Sequence, residues 1–300
     1  MTTPKSTKPK LLVILGPTAC GKSDLAVELA LKLNGEVVSA DSRQVYKGLD
    51  IGTGKITLAE MKGVPHHCLD IANPNERFTA MDWKKAAEAA VSDIISRGKL
   101  PIICGGTGFY ISALIDDLGF PDVESDTEEQ KALESKTAEE LFDELVKLDP
   151  ERAKTIDMKN KRRLSRAILV ARALGSVPAL IRPSEPKYDA VMIGVLVPDQ
   201  TLRERIMKRL VARLDAGMVK EIEGLHVAGL SYERMDELGL EYRYVSQFLE
   251  GRIAYPDMVK LLATRICQYA KRQRTWFKKD ARIRWMSQPV DVAEVAKLVQ

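Results

Sequence analysis

Leu11-Leu12-Val13-Ile14-Leu15-Gly16-Pro17-Thr18-Ala19-Cys20-Gly21-Lys22-Ser23 is the stretch on which the fold turns. Five apolar residues closed by a glycine have the pattern of a strand buried on both faces, as in parallel sheets. From Ser23 onward, Leu25, Ala26, Leu29, Ala30 and Leu33 recur at helical spacing, and Asn34-Gly35 is a helix stop. Gly16–Ser23 thus matches G-x-x-x-x-G-K-S/T in the strand–turn–helix setting that gives the motif its meaning. Its glycines let the backbone fold so that several N–H groups face one anion at the positive end of a helix. Lys22 adds a point charge, and Ser23 offers a hydroxyl to a Mg²⁺ ion that bridges phosphates. Gly16, Pro17, Thr18, Ala19, Cys20, Gly21, Lys22 and Ser23 are therefore the candidate diphosphate-binding residues. The loop asks for a di- or triphosphate without naming what carries it.

Further along, Val37-Val38-Ser39-Ala40 reads as a second strand. A helix follows over about Thr79 to Arg97, with Met81, Trp83, Ala86, Ala90, Ile94 and Ile95 inward. Pro101-Ile102-Ile103-Cys104 is a third strand ending in Gly105-Gly106, Ala190–Val197 a fourth, and Ile283–Met286 a last short one. This alternation predicts an α/β fold: a P-loop NTPase-like parallel sheet with helices on both faces. A helical insertion interrupts it. Residues from Pro121 to about Leu148 are acidic and helix-prone, and Lys159–Arg166 turns sharply basic. The expected organisation is a polar, disordered arm over 1–10, a first part of the core over 11–114, the insertion over 115–185, and a second part over 186–300 that is mostly helical and basic.

Composition bounds the rest. The chain has 300 residues, 46 Lys and Arg against 42 Asp and Glu, and 45% apolar residues, enough for a sizeable core. No apolar run reaches the roughly 18 residues that span a bilayer, so no membrane association is expected. Cys20, Cys68, Cys104 and Cys267 are scattered without metal-ligand or disulfide spacing and suit a reducing compartment. His66-His67 is read as structural, because adjacent histidines do not share a ligand face and no zinc-spaced partner is present.

Strand carboxyl ends in open α/β sheets face the ligand crevice, which places Asp41 and Thr107 beside the phosphate loop. Asp41 is suited to bind Mg²⁺, to take a proton from a nucleophile, or to cap a turn. Arg205 and Arg209 lie four residues apart on one helix face, where one of them could reach the diphosphate or both could be solvated ion pairs. Lys260, Arg265, Lys271, Arg272, Arg274, Lys278, Lys279, Arg282 and Arg284 oppose a single acid, Asp280. With Tyr269, Trp276 and Phe277 interleaved, they form a candidate phosphate-binding track.

Taken in order, Gly16–Ser23, Asp41–Thr53, Pro65–Ile71, Gly105–Tyr110, Arg162–Arg166 and Lys271–Phe277 resemble the tRNA dimethylallyltransferases of the bacterial type, also called tRNA isopentenyltransferases. The resemblance runs from about residue 11 to 287. It implies transfer of a dimethylallyl group from dimethylallyl diphosphate to N6 of the adenosine beside the anticodon, position 37 of the tRNA, with Mg²⁺ as cofactor. It further implies Asp41 as general base, Thr107 and Lys22 as catalytic companions, and Arg209 on the diphosphate. Asp41, Ser42, Arg43, Gln44, Thr107, Arg162, Arg163, Leu164, Ser165, Arg166, Arg243, Lys271, Arg272 and Gln273 are its implied contacts to the tRNA anticodon stem-loop. A cytoplasmic monomer without an obligate protein partner is implied as well.

The chain departs from that pattern in places. Cys20 stands where serine is usual, which predicts sensitivity to thiol reagents. Glu241 precedes Tyr242-Arg243 where glycine is usual, and Gly54-Lys55-Ile56 replaces Ala-Lys-Pro. The acidic insertion is shorter than usual. Two other functions compete: prenyl transfer to free AMP, ADP or ATP, and a P-loop ATPase or kinase acting on RNA. The helical insertion and basic C-terminal half argue against a mononucleotide acceptor, which needs neither.

Overall fold

Leu11 to Leu15 are all fully buried, which a strand achieves only when both faces of its sheet are covered. The computed structural model describes residues 8–121, 123, 127–179 and 183–299. It divides into two compact units, Met1–Asp117 with Glu185–Gln300, and Leu118–Ser184. Residues 1–7 of the expected arm lie outside the described residues, whereas Lys10 already belongs to the first strand.

The first unit holds one six-stranded sheet in the order β3-β2-β4-β1-β5-β6, every neighbour parallel. Its strands are β1 (Lys10–Leu15), β2 (Gly35–Ala40), β3 (His66–His67), β4 (Leu100–Gly105), β5 (Asp189–Leu196) and β6 (Arg284–Ser287). Between them run α1 (Lys22–Leu33), the single turn α2 (Leu58–Met61), α3 (Ala80–Ser96) and α4 (Gly108–Ile115). The sheet joins strands far apart in sequence because each right-handed crossover needs a helix or loop to return the chain.

Two sequence readings change in detail. His66-His67 is an edge strand as well as a loop: His67 Nε2 lies 2.7 Å from Glu36 Oε2, and His66 Nδ1 lies 2.9 Å from the Val64 carbonyl. The inward face of α3 is Trp83, Ala87, Val91 and Ile94 rather than one centred on Ala86 and Ala90. Trp83 fixes that face: its Nε1 donates to the Ser39 carbonyl (2.9 Å), and its ring stacks on Tyr110 at 4.7 Å.

The second unit contains α5 (Thr127–Ser135), α6 (Ala138–Leu148), α7 (Pro150–Ala153) and α8 (Lys161–Leu174). Thr137 and Glu140 form a capping box at the start of α6, and Leu141 and Leu145 meet Leu164 and Ile168 of α8 in a separate core. The first unit is completed by α9 (Asp199–Asp215), α10 (Met218–Val227), α11 (Tyr232–Leu238), α12 (Leu240–Leu249), α13 (Tyr255–Phe277) and α14 (Val292–Val299). No described helix is long and apolar enough to cross a membrane.

Candidate active site

Register brings the three motif-bearing loops to one place. Leu15 of β1 pairs with Gly105 of β4, and Gly105 pairs in turn with Ala40 of β2. The phosphate loop, the Asp41 loop and the Gly106-Thr107 turn therefore leave the sheet side by side at its carboxyl edge, where such sheets bind ligands. Gly105 is required for this closeness, since a Cβ there would stand 2.1 Å from the Ala40 carbonyl oxygen.

Two glutamines near the C-terminal end, one on α13 and one just past β6, hold the phosphate loop. Gln273 of α13 accepts from the Thr18 N–H (2.9 Å) and donates to the Gly106 carbonyl (2.9 Å). Its side chain is buried and both amide heteroatoms bond to backbone, so it ties the phosphate loop to the β4 turn. Gln288, just past β6, donates to the Cys20 carbonyl (2.6 Å) and accepts from Arg205 Nη1 (2.5 Å). Lys22 Nζ lies back over its own loop, 3.4 Å from the Pro17 carbonyl, and Ser23 at the start of α1 turns its hydroxyl to the Cys104 thiol. Cys20 is fully buried, and burial pushes its thiol up despite nearby Lys22, so the expected thiol sensitivity does not follow. Cys104 beneath the loop is likewise pushed up by burial, to about 12.

Asp41 Oδ1 accepts from the backbone N–H groups of Arg43 (2.9 Å) and Gln44 (3.4 Å), a local turn that fixes the carboxylate and leaves Oδ2 for other work. Thr107 Oγ1 accepts from the Ser42 N–H (3.0 Å), so the hydroxyl's own hydrogen remains to be donated. Ser42, Arg43 and Gln44 are half-buried around it.

Opposite stands an arginine helix face. Arg209 of α9 donates to the Gly54 carbonyl (3.2 Å), which also receives Gln44 Nε2 (3.2 Å). Burial, then the neighbouring Arg213, brings the Arg209 guanidinium down to about 10, while Asp41 and Glu241 oppose the shift. Arg205 is the exposed member of the pair, bonded to Gln288. Arg213 donates to the Gly52 carbonyl (3.4 Å) and pairs with Glu241 (3.2 Å), whose carboxyl burial pushes up, Arg213 opposing that shift. Glu221 of α10 accepts from the N–H groups of Asp50, Ile51 and Gly52 and from the Tyr242 hydroxyl, anchoring the same loop.

Along α13, Gln268, Lys271, Arg272, Thr275, Trp276 and Lys279 line an open groove of about 400 Å³. Arg272 lies over the Tyr269 ring, and exposed Trp276 meets Phe109 edge-on at 6.5 Å. Arg243 of α12 donates to the Asp236 carbonyl of α11. In the helical unit, Arg162 and Arg163 are exposed on α8, whereas Arg166 donates to the Val123 (3.0 Å) and Pro121 (3.3 Å) carbonyls. Leu164 is fully buried in the unit's core and Ser165 is nearly buried beside it, on the helix that carries the arginines.

Sequence reasoning did not single out Arg213, Glu221 or Gln288 as site-forming. Arg213 was within reach of it, because it continues the four-residue spacing of Arg205 and Arg209 on α9. Gln288 carried no local signal, since its role exists only once β6 lies beside β5.

The IPP transferase family model matches residues 44–280. The tRNA dimethylallyltransferase 1 of Geotalea uraniireducens (strain Rf4) is 41% identical over 280 residues, covering 92% of both chains. The tRNA dimethylallyltransferase of Staphylococcus haemolyticus (strain JCSC1435) is 42% identical over 291 residues, 93% of this chain and 87% of that one. The solved full-length tRNA isopentenylpyrophosphate transferase of Bacillus halodurans superposes with a TM-score of 0.74 at 36% identity, covering 97% of this chain and 96% of that one. A eukaryotic dimethylallyltransferase solved while acting on tRNA superposes at 0.78 with 26% identity, over 93% of this chain and 74% of that one.

Proposed function

Because the chain belongs to the IPP transferase family, we propose that it transfers a dimethylallyl group from dimethylallyl diphosphate to N6 of the adenosine beside the anticodon (position 37) of a tRNA in the cytoplasm. The observation that carries this reading is the meeting of a phosphate loop, a fixed carboxylate and a threonine hydroxyl at neighbouring strand ends. A phosphoryl-transfer enzyme would attack the phosphate. Here the diphosphate is the leaving group, and the bond that breaks is between its oxygen and the allylic carbon.

Loop N–H groups, Lys22 and Arg209 stabilise the negative charge that grows on the departing oxygen, where removing one such donor typically costs about 3–4 kcal/mol of barrier. The N6 amine supplies the electron pair for the new C–N bond, and Asp41 accepts the proton it sheds. Thr107, held by the Ser42 N–H, donates its hydrogen to orient the reacting groups. An exocyclic amine of adenine is a poor nucleophile, which is why a positioned base is needed.

Among the described residues no three His, Cys, Asp or Glu side chains gather into a metal cage. The Ser23 hydroxyl beside the loop's anion site would be the residue to hold a Mg²⁺ ion bound with the diphosphate. When bound, that ion neutralises charge on the diphosphate.

The adenosine reaches the crevice by leaving its stack, which costs least in a single-stranded loop such as an anticodon loop. Ser42, Arg43 and Gln44 receive it, the α13 groove with Lys271 and Arg272 binds the adjoining backbone, and Arg162 and Arg163 add phosphate contacts. Labelled dimethylallyl diphosphate, Mg²⁺ and unmodified tRNA beside AMP and ATP test the reading. Label on the adenosine beside the anticodon, lost in Asp41→Ala, is expected. Label confined to free nucleotide, or ATP hydrolysis without any transfer, would refute it.

A further inference from the structure

Two arginines and one acid meet at a single glycine. Gly54 has φ +59°, and a Cβ built there would lie 1.7 Å from Arg213 Nη2 and 2.3 Å from Arg209 Nη2. Both guanidinium groups therefore rest on the same stretch of bare backbone, one helical turn apart on α9. Their anchors differ. Arg209 donates to the Gly54 carbonyl, whereas Arg213 donates to the Gly52 carbonyl and to Glu241 Oε1. The Glu241 and Arg213 side chains are only 18% and 12% exposed, so water screens the pair poorly. Like charges this close repel, and Glu241 is the carboxylate bonded to either of them. Two guanidinium groups and one carboxyl therefore share this stretch of backbone.

We propose that Glu241 is a positioning residue that sets the diphosphate affinity of the crevice. By holding Arg213 on the Gly52 loop it leaves Arg209 as the cation that grips the anion, and the product is free to depart. The inference rests on the prenyl-transfer reading for its diphosphate, and it concerns the residue at which this chain replaces the usual glycine.

The consequence of losing the carboxylate is a gain in grip. In Glu241→Gln the shape is kept but the counterion is lost, so an arriving diphosphate becomes the counterion of both arginines. The inhibition constant of inorganic diphosphate is expected to fall about 10-fold, the size of one partly screened charge at this range. kcat and KM for dimethylallyl diphosphate fall together, because release of the product slows. Arg213→Gln leaves Glu241 beside Arg209 and raises the constant by a similar factor. The double variant Arg213→Gln/Glu241→Gln restores the net charge and returns the constant to within about threefold of the parent.

The test is calorimetric titration of the full chain with inorganic diphosphate and Mg²⁺, alongside competition against dimethylallyl diphosphate and thermal melts of each variant. A purely structural Glu241 predicts weaker binding in both single variants and the weakest in the double. That pattern overturns the proposal, as does an unchanged or raised constant in a Glu241→Gln protein with the parent Tm. If Glu241→Gln does not fold, Arg213→Gln and the double variant decide by the same criteria. Inorganic diphosphate binding needs neither tRNA nor prenyl donor. Absence of prenyl transfer by the parent would therefore defeat the functional reading, while insensitivity of diphosphate binding to Glu241 defeats this one.

Discussion

Replacing Gln273 by methionine separates two roles for that residue. Methionine has nearly the same length and volume, so packing beside Gly106 is kept while both hydrogen bonds vanish. The Gly106 carbonyl is buried and loses its Gln273 partner, which costs about 1–3 kcal/mol. The Thr18 N–H lies in a half-buried loop and recovers part of its bond from water, at a net cost of about 0.5–1.5 kcal/mol. The total is about 1.5–4.5 kcal/mol. Unfolding entropy near 2.1 cal/mol/K per residue then gives a Tm lower by about 5 °C for a loss of about 3 kcal/mol in a chain of this length. The phosphate loop also loses its tie to β4, so KM for dimethylallyl diphosphate rises. Thermal melts followed by circular dichroism, with steady-state kinetics in both substrates, check this. A Gln273→Met protein with the parent Tm and a raised KM for tRNA alone would return Gln273 to the RNA-contact role and refute the argument from burial.

Asp41→Asn keeps an Oδ1 that accepts from Arg43 and Gln44, so Tm should stay within about 1 °C while single-turnover transfer falls about 10²–10⁴-fold; an active Asn variant would remove Asp41 as the base. Iodoacetamide applied to the native protein should modify Cys267, the one cysteine that is not buried, and spare Cys20; peptide mapping that finds Cys20 labelled contradicts its burial. Arg97, with Lys99 and His67, holds the buried Glu36 carboxyl well below its ordinary value of 4.5. A depressed carboxyl stabilises the fold above that value, and the contribution is lost as pH falls through the range beneath it. The urea midpoint of Glu36→Gln should therefore lie below the parent's at pH 7 and converge on it toward pH 3, whereas parallel curves would show that Glu36 titrates alike in both states.

The sheet and the phosphate loop were legible because they are local. Leu11–Leu15 and Gly16–Ser23 state their strand, turn and helix within thirteen residues, and burial followed the apolar pattern. Asp41 and Thr107 were legible one step further out, through the rule that strand ends face the crevice. What sequence could not show was how side chains spend their hydrogen bonds. Gln273 sits in the middle of a basic run, and only its 255-residue reach back to Thr18 reveals a structural clamp. Leu164, set among arginines, is buried because α8 turns its apolar stripe toward α6. The β3 edge was missed because two residues carry no periodicity.

The distribution of charge around the Asp50–Lys55 loop explains why the catalytic edge depends on the far half of the chain. Two guanidinium groups about 4 Å apart repel by about 4 kcal/mol at the effective dielectric of such a site. That repulsion is tolerable only where carbonyls and an acid absorb it, and the Gly52 and Gly54 carbonyls with Glu241 do so. Those carbonyls point the right way because Glu221 of α10 takes three consecutive N–H groups of the same loop. Tyr242 fixes Glu221 in turn, and its ring leaves no room for a side chain at Gly52. Helices α9, α10 and α12 thus shape a loop that follows β2, while Gln273 and Gln288 shape the one that follows β1. Asp41 is held by its own local turn, whereas the loops on either side of it are braced by side chains from residues 209–288.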